Sequence, residues 1–243
     1  MIHKEEIEWI CDDQNKNSSE NDNTGEKHKF SIQISDAQKC MIISRNTCNI
    51  IAGSTNSGKT NLLLNILRLN YKLWNSIYFV CPTLDLQSQY KDIVIQKNIL
   101  TNERDIERLF TEQTNNQRRY ICIVLDDCIS TISFQSSNIF DKLASSCRHY
   151  RITCFILIQD LKKLSPTIRD NCSNLFITKL KEHSLRCCFD LSSDFPNYKS
   201  FKDFMDSACK DYRVVKMNLA AGYDTNTIFV FTPNLLNRKI KFR

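Results

Sequence analysis

The chain has 243 residues, of which 42% are hydrophobic and 25% charged; these are the proportions of an ordinary globular domain and exclude fibrous, collagen-like and fully disordered classes. No run of eighteen apolar residues occurs, and the amino terminus, MIHKEEIEWICDDQNK, lacks the basic-then-apolar order of a secretion signal, so no membrane insertion and an intracellular protein are expected. The net charge of +6 is spread along the chain, which permits a polyanionic partner without requiring one.

In chain order, residues 12–29 (DDQNKNSSENDNTGEKHK) are almost without apolar letters. They cannot bury a core, and a disordered leader over 1–29 is expected, with a single folded domain over 30–243. The stretch FSIQIS then alternates like a half-buried strand. Five short apolar runs follow: CNIIA (48–52), SIYFVC (76–81), YICIVL (120–125), ITCFILI (152–158) and NLFITKL (174–180). Rich in β-branched and aromatic residues and apolar nearly throughout, they fit strands covered on both faces. Amphipathic stretches at 59–70, 84–97, 102–115, 136–149 and 166–172 read as helices, so strand alternates with helix and a mostly parallel sheet is predicted. Beyond Lys181 the pattern is mixed. A helix over 195–212 leads to RVVKMNLA and TIFVFT, joined by a stretch whose Gly222 and Asn226 suit a turn, and the expectation is a carboxy-terminal β-hairpin at the sheet edge.

Twelve cysteines might suggest disulfides or zinc, but the chain contains no C-x-x-C pair. Most lie inside apolar runs, as do Cys122 and Cys154, and they read as reduced, buried small hydrophobes.

Only four glycines occur, and two fall in Gly53-Ser54-Thr55-Asn56-Ser57-Gly58-Lys59-Thr60. This is G-x-x-x-x-G-K-[ST] without a mismatch, placed between the strand CNIIA and a helical run, which is the context a phosphate-binding loop needs. Backbone N–H groups can surround a triphosphate only where side chains do not obstruct them, and Gly53 and Gly58 are read as supplying that room and the unusual dihedrals. Lys59 would reach the β and γ phosphates, the Thr60 hydroxyl would ligate Mg2+, and the helix would point its positive end at the phosphates. The pattern implies a nucleoside triphosphate with Mg2+ and makes 30–243 a P-loop NTPase domain; the resemblance below makes that nucleotide ATP and the domain an ATPase.

Hydrolysis needs carboxylates at another strand end. YICIVL runs into Asp126 and Asp127; Asp126 is expected to hold Mg2+ and Asp127 to polarise the attacking water. The next strand, ITCFILI, ends in Gln159-Asp160, where the carboxyl ends of parallel strands converge, and Gln159 can both donate to phosphate and accept from water.

A phosphate-binding loop, a strand ending in Asp-Asp and a next strand ending in Gln resemble the FtsK/HerA superfamily of DNA-translocating ATPases. CRHYRITCFILIQD followed by LSPTIRDNCSNLF, with the late run DYRVVKMNL, is similar to the poxvirus-type genome-packaging ATPases of large DNA viruses and virophages. That family often has Glu where this chain has Asp127. The resemblance covers about residues 30–232 and implies a three-layer P-loop NTPase fold of the additional-strand, RecA-like type. It implies a homo-oligomeric ring in which an arginine reaches the next subunit's γ phosphate, worth about 10³ or more in rate. Arg169 is the first candidate and Arg148 the second. It further implies sequence-independent grip on double-stranded DNA, a capsid or portal-vertex partner, and a place in the host-cell cytoplasm at the site of virus assembly or in the virion. Lys162 and Lys163, and the KLK stretch 179–181, are candidate DNA grips. Three other readings share parts of this pattern. A HerA-like helicase or DNA-processing translocase has every motif. A small-molecule kinase has the loop, although two strand-like units between Lys59 and the acid pair fit it less well. A non-hydrolysing nucleotide-binding protein would have no need of Asp127 and Gln159.

Overall fold

The computed structural model describes residues 36–82, 90, 98–115, 119–128, 138–191, 195–219 and 228–233. The expected leader, the FSIQIS strand and the Gly222 turn lie outside them, as does the helix expected over 84–97 apart from Tyr90.

Seven strands form one sheet: β1 (Cys48–Ala52), β2 (Ser76–Val80), β3 (Ile121–Asp126), β4 (Ile152–Ile158), β5 (Cys172–Ile177), β6 (Val214–Asn218) and β7 (Ile228–Phe231). Their order is β2-β3-β4-β1-β5-β6-β7, with β2 to β5 parallel and β6 and β7 antiparallel. The hairpin expected at the sheet edge is thus present. β4 lies between β1, which carries the glycine loop, and β3, which carries the acids; this is the interposed strand of the additional-strand P-loop NTPases.

Alternation divides each strand between two cores, as a pleated sheet requires. Ile51, Phe155, Leu157, Phe176, Cys122 and Val124 face one way, against α1 (Ala37–Met41) and α2 (Lys59–Asn70). Ile50, Ala52, Ile123, Leu125, Ile156, Ile158 and Ile177 face the other. That side is covered by α3 (Glu103–Asn115), α4 (Ile139–Ser146), α5 (Pro166–Asp170), α6 (Glu182–Asp190) and α7 (Tyr198–Ala208). Helices on both faces explain why β1, β3, β4 and β5 are buried at every position and why their sequences are mostly apolar. No helix among the described residues is long and apolar enough to cross a membrane.

Several boundaries differ from the sequence reading. α4 is shorter than 136–149, and α5 stops at Asp170, where the Asn171 amide caps it. β5 begins at Cys172 and ends at Ile177, earlier than the 174–180 run. α7 occupies only the middle of 195–212, starting where the Asn197 side chain accepts from the Ser200 amide. Two helices were not anticipated. α1 is a single turn nucleated by Asp36, whose side chain accepts from the Gln38 amide. α6 buries only Ser184, Leu185, Cys187 and Cys188 among charged neighbours, a stripe too narrow to stand out in the letters. All eleven described cysteines are free thiols, and all but Cys209 are buried, so they serve as core side chains.

One buried polar group ties the middle strands together. The fully buried Asn49 of β1 donates from Nδ2 to the Cys154 carbonyl of β4 at 3.1 Å and accepts at Oδ1 from Asn174 of β5 at 2.8 Å. Asn49→Ala strands both partners inside the sheet and should cost about 2–3 kcal/mol by denaturant midpoint. Asn49→Val with Asn174→Val should cost less than the two single changes summed, and strict additivity would show that the pair does not act as a unit.

Candidate nucleotide site

Register places the loop. Ala52 is level with Ile158 of β4 and Ile177 of β5, and Asp126 with Leu157, so the parallel strands end together at one edge. The residues just past that edge are Gly53, Asp127, Gln159 and Thr178. Main-chain bonds fasten the loop to its neighbours: the Gly53 amide donates to the Ile158 carbonyl at 3.0 Å and the Ser54 amide to the Lys179 carbonyl at 2.7 Å.

The two glycines have different reasons. A Cβ at Gly53 would lie 1.8 Å from Thr178 Oγ1, so the missing side chain makes room for a neighbouring strand end. The Thr178 hydroxyl lies 3.2 Å from the Ala52 carbonyl and 2.7 Å from Ser57 Oγ, which locks the loop to β5. Gly58 has nothing within 4 Å of a built Cβ but has φ +90°, the left-handed region an L side chain resists. Gly58 therefore carries the dihedral part of the expectation, and Gly53 has a packing reason of its own. Asn56, at φ 59°, sits at the loop's outer turn, where asparagine tolerates that conformation.

Lys59 begins α2 with only 8% of its surface exposed. Its Nζ donates to the Gly53 carbonyl at 2.9 Å and the Ser54 carbonyl at 3.0 Å, spanning the loop it belongs to. Burial lowers the ammonium's pKa, while the Asp127 and Asp126 carboxylates oppose that shift.

The acids are adjacent in sequence but occupy different environments. Asp126 falls on the same face as Cys122 and Val124, toward α2, and is 2% exposed. It accepts a 2.7 Å hydrogen bond from the hydroxyl of Tyr90, itself fully buried. Thr60 stands beside the same phenol, so Tyr90 neighbours both the hydroxyl and the carboxylate expected to hold Mg2+. Burial first, and then the Asp126 charge, push the Tyr90 pKa well up, which keeps it a proton donor. A hydroxyl and a carboxylate are hard oxygen donors suited to a magnesium ion whose other ligands are phosphate and water, so these residues fit the metal. Asp127 is exposed and has φ 49°, which turns its carboxylate away from the strand.

Gln159 joins the two halves. Its Oε1 accepts from Thr55 Oγ1 of the loop at 3.0 Å, and its Nε2 donates to Asp127 Oδ2 at 3.2 Å. Loop, β3 acid and β4 glutamine therefore form one hydrogen-bonded set. The next residue, Asp160, accepts from the Lys162 amide and from Ser184 Oγ, with His183 Nε2 at 3.3 Å, tying this strand end to the first turn of α6. Burial alone would raise the Asp160 carboxyl; the Lys162 amide, the Ser184 hydroxyl and His183 together hold it below its ordinary value.

The arginines do not join this cluster within the chain. Arg148 is exposed on the turn before β4, and Arg169 lies just before β5, both leading into the amino-terminal ends of strands whose opposite ends bear the site. Arg169 is partly buried, and its Nε has no hydrogen-bond partner among the described residues. Lys162 and Lys163 are exposed on the turn after Gln159, and Lys179 is exposed beside the loop. Sequence reasoning missed Tyr90 and Thr178. Thr178 stands one residue past an apolar strand, the position that Gln159 occupies in β4, and could have been found by that rule. Tyr90 acts across thirty-six positions from within the stretch read as an amphipathic helix over 84–97, and that periodicity gave no sign that its hydroxyl reaches Asp126.

The sequence profile described as Poxvirus A32 protein matches residues 39–194. Uncharacterized protein 075L of Invertebrate iridescent virus 6 is 21% identical over 187 residues, which cover 71% of this chain and 70% of that one. Among solved structures, the genome packaging NTPase B204 from Sulfolobus turreted icosahedral virus 2, in complex with sulfate, aligns with a TM-score of 0.59 at 15% identity. That alignment covers 79% of this chain and 99% of B204. The cytoplasmic domain of the Thermomonospora curvata Type VII secretion ATPase EccC aligns with a TM-score of 0.54 at 11% identity, over 89% of this chain and 28% of EccC. The fold is therefore that of the P-loop ATPases. With the profile covering well over half of its length, from the first helix through the loop, the acid pair and the glutamine strand, the chain belongs to the Poxvirus A32 protein family.

Proposed function

We propose that this protein is the ATPase of a viral genome-packaging motor, hydrolysing ATP to drive double-stranded DNA into a preformed capsid. The observation that carries the reading is the Gln159 bridge, which puts a phosphate loop and a carboxylate facing solvent into one hydrogen-bonded set. Membership of the family and the fold shared with B204, a genome packaging NTPase solved with ATP-gammaS and AMPPCP, support it.

Lys59 leaves the Gly53 and Ser54 carbonyls for the β and γ phosphates, exchanging two neutral acceptors for charged ones. Ser54, Thr55, Asn56, Ser57 and Gly58 present the loop to the phosphates. Thr60 and Asp126 hold Mg2+, which when bound neutralises charge on the phosphate oxygens. Asp127 accepts a proton from a water whose oxygen bonds to the γ phosphorus as the bond to the β–γ bridging oxygen breaks, yielding ADP and phosphate. Gln159 orients that water and changes partners when the phosphate leaves. In a homo-oligomeric ring, Arg169 of one subunit completes the next subunit's site, with Arg148 the second candidate. Lys162, Lys163 and Lys179 lie at the same sheet edge and give a sequence-independent grip on DNA phosphates. A capsid or portal-vertex protein holds the ring, in the host cytoplasm where virions assemble.

ATP hydrolysis by the purified protein should be accelerated by duplex DNA; phosphate transfer to a nucleoside without any DNA effect would make it a kinase instead. Lys59→Ala should lower turnover about 10²-fold or more. Asp127→Asn should bind ATP normally yet stall, by about 10² or more, and normal hydrolysis by that variant would remove Asp127 as the base. Tyr90→Phe should raise the Mg2+ concentration for half-maximal activity about ten- to hundredfold, since it removes the hydrogen-bond partner that orients the Asp126 carboxylate. An unchanged magnesium midpoint would leave Tyr90 with a packing role alone. Arg169→Ala subunits mixed with Lys59→Ala subunits should regain activity if the arginine acts in trans, and no rescue at any ratio discards that assignment.

A further inference from the structure

The triphosphate has a direction across the loop. Asp127 and Gln159 mark the γ end on the β3–β4 side, so the ribose and base must lie on the other side, toward β5. There the structure holds a groove of about 760 Å³, a volume typical of small-molecule sites, continuous with Ser54 and Thr55 of the loop. Its apolar wall is Leu180 with the buried Leu185 of α6 and Met205 of α7, and its rim is Asp211 and Tyr212.

Tyr212 is 73% exposed, an unusual position for a large aromatic side chain among the described residues, where most are buried. It sits on a turn with two successive left-handed residues, Asp211 at φ 54° and Tyr212 at φ 59°. Such a turn is costly for non-glycine residues and reverses the chain sharply between α7 and β6. Arg213 fixes it from below, donating from Nη2 to the Ser207 carbonyl at 2.7 Å and from Nε to the Lys210 carbonyl at 3.3 Å. The guanidinium is thereby occupied by α7, and the phenol ring is left on the rim of the groove.

We infer that this groove receives the nucleobase of the bound nucleoside triphosphate, with the ring of Tyr212 stacking on the base over the Leu185–Met205 wall. The inference rests on the nucleotide reading above and adds the residue that distinguishes a nucleotide from bare phosphate. Stacking on an aromatic face is worth a roughly ten- to hundredfold change in affinity. Alanine, phenylalanine and tyrosine meet the same left-handed penalty at this position, so exchanging them leaves the turn's strain nearly unchanged.

The test measures binding of ATP and of inorganic tripolyphosphate, which lacks base and ribose, to the full chain. Tyr212→Ala should weaken ATP about ten- to hundredfold and leave tripolyphosphate unchanged, while Tyr212→Phe should keep the wild-type ATP affinity. In Tyr212→Trp, the added indole fluorescence should be quenched by ATP and not by tripolyphosphate, a readout that a role in folding alone would not produce. Wild-type ATP affinity in Tyr212→Ala, or equal loss of both ligands, overturns the assignment. If neither ligand binds the wild-type chain, and Lys59→Ala is indistinguishable from it, the nucleotide reading itself fails and takes this inference with it.

Discussion

Everything at the site depends on the parallel register of four strands. β3, β4, β1 and β5 are hydrogen-bonded side by side and end within a residue of one another, so the first polar residue after each apolar run arrives at the same edge. The ladder continues past the strands: Gly53 N–H reaches the Ile158 carbonyl and Thr178 N–H the Ala52 carbonyl. Loop, acid and glutamine are therefore positioned by main-chain bonds inside a closely packed sheet rather than by flexible side chains. A slip of one residue in any of these pairings would turn that strand's core side chains to the wrong face, which both cores forbid.

The same alternation separates two chemically identical neighbours. Asp126 ends β3 on the α2 face, where Thr60 and Tyr90 stand, and its burial is compensated by a phenol donor. Asp127 comes next and would point to the opposite core, but its left-handed backbone turns it to solvent instead, within reach of Gln159. An anchored carboxylate and a carboxylate open to water thus differ by one step of the pleat and one dihedral. Lys59 faces a related problem, a cation largely withdrawn from water without a full counter-ion. Two loop carbonyls and the nearby acids hold it charged, poised for a ligand that brings stronger acceptors.

The fold was legible because its strands are covered on both sides. Continuous apolar runs such as ITCFILI and YICIVL can hardly be anything but buried strands, and the loop between CNIIA and α2 fixes which edge is functional. The site residues Lys59, Thr60, Asp126, Asp127 and Gln159 follow from those runs because each is placed by counting from a strand end. What the letters hid depends on tertiary contact. Gly53 is glycine because Thr178 occupies its Cβ position, a fact about β5 that no reading of the loop contains. Tyr90 meets Asp126 across a crossover, and α6 declares itself only by packing its narrow stripe on α7 and on the turn after β4.

The end of β4 is where these pieces meet. Gln159 touches both the loop and Asp127, and the adjacent Asp160 is held by the Lys162 amide, the Ser184 hydroxyl and His183 at the start of α6. α6 carries Leu185 into the groove on the far side of the loop and packs against α7, which leads into the Tyr212 turn. Two consecutive residues of one strand end therefore contact the loop and Asp127 on one side and the helix that walls the groove on the other. Under the proposed function, the loss of γ phosphate changes the partners of Gln159 among others, and this contiguous set gives that change a path into the rest of the domain. The exposed Lys162 and Lys163 follow directly on the same turn, two residues beyond the Asp160 carboxylate that fixes it. Under the proposed function, any repositioning of Gln159 on hydrolysis reaches the segment bearing these cations through three or four covalent residues rather than through a distant rearrangement.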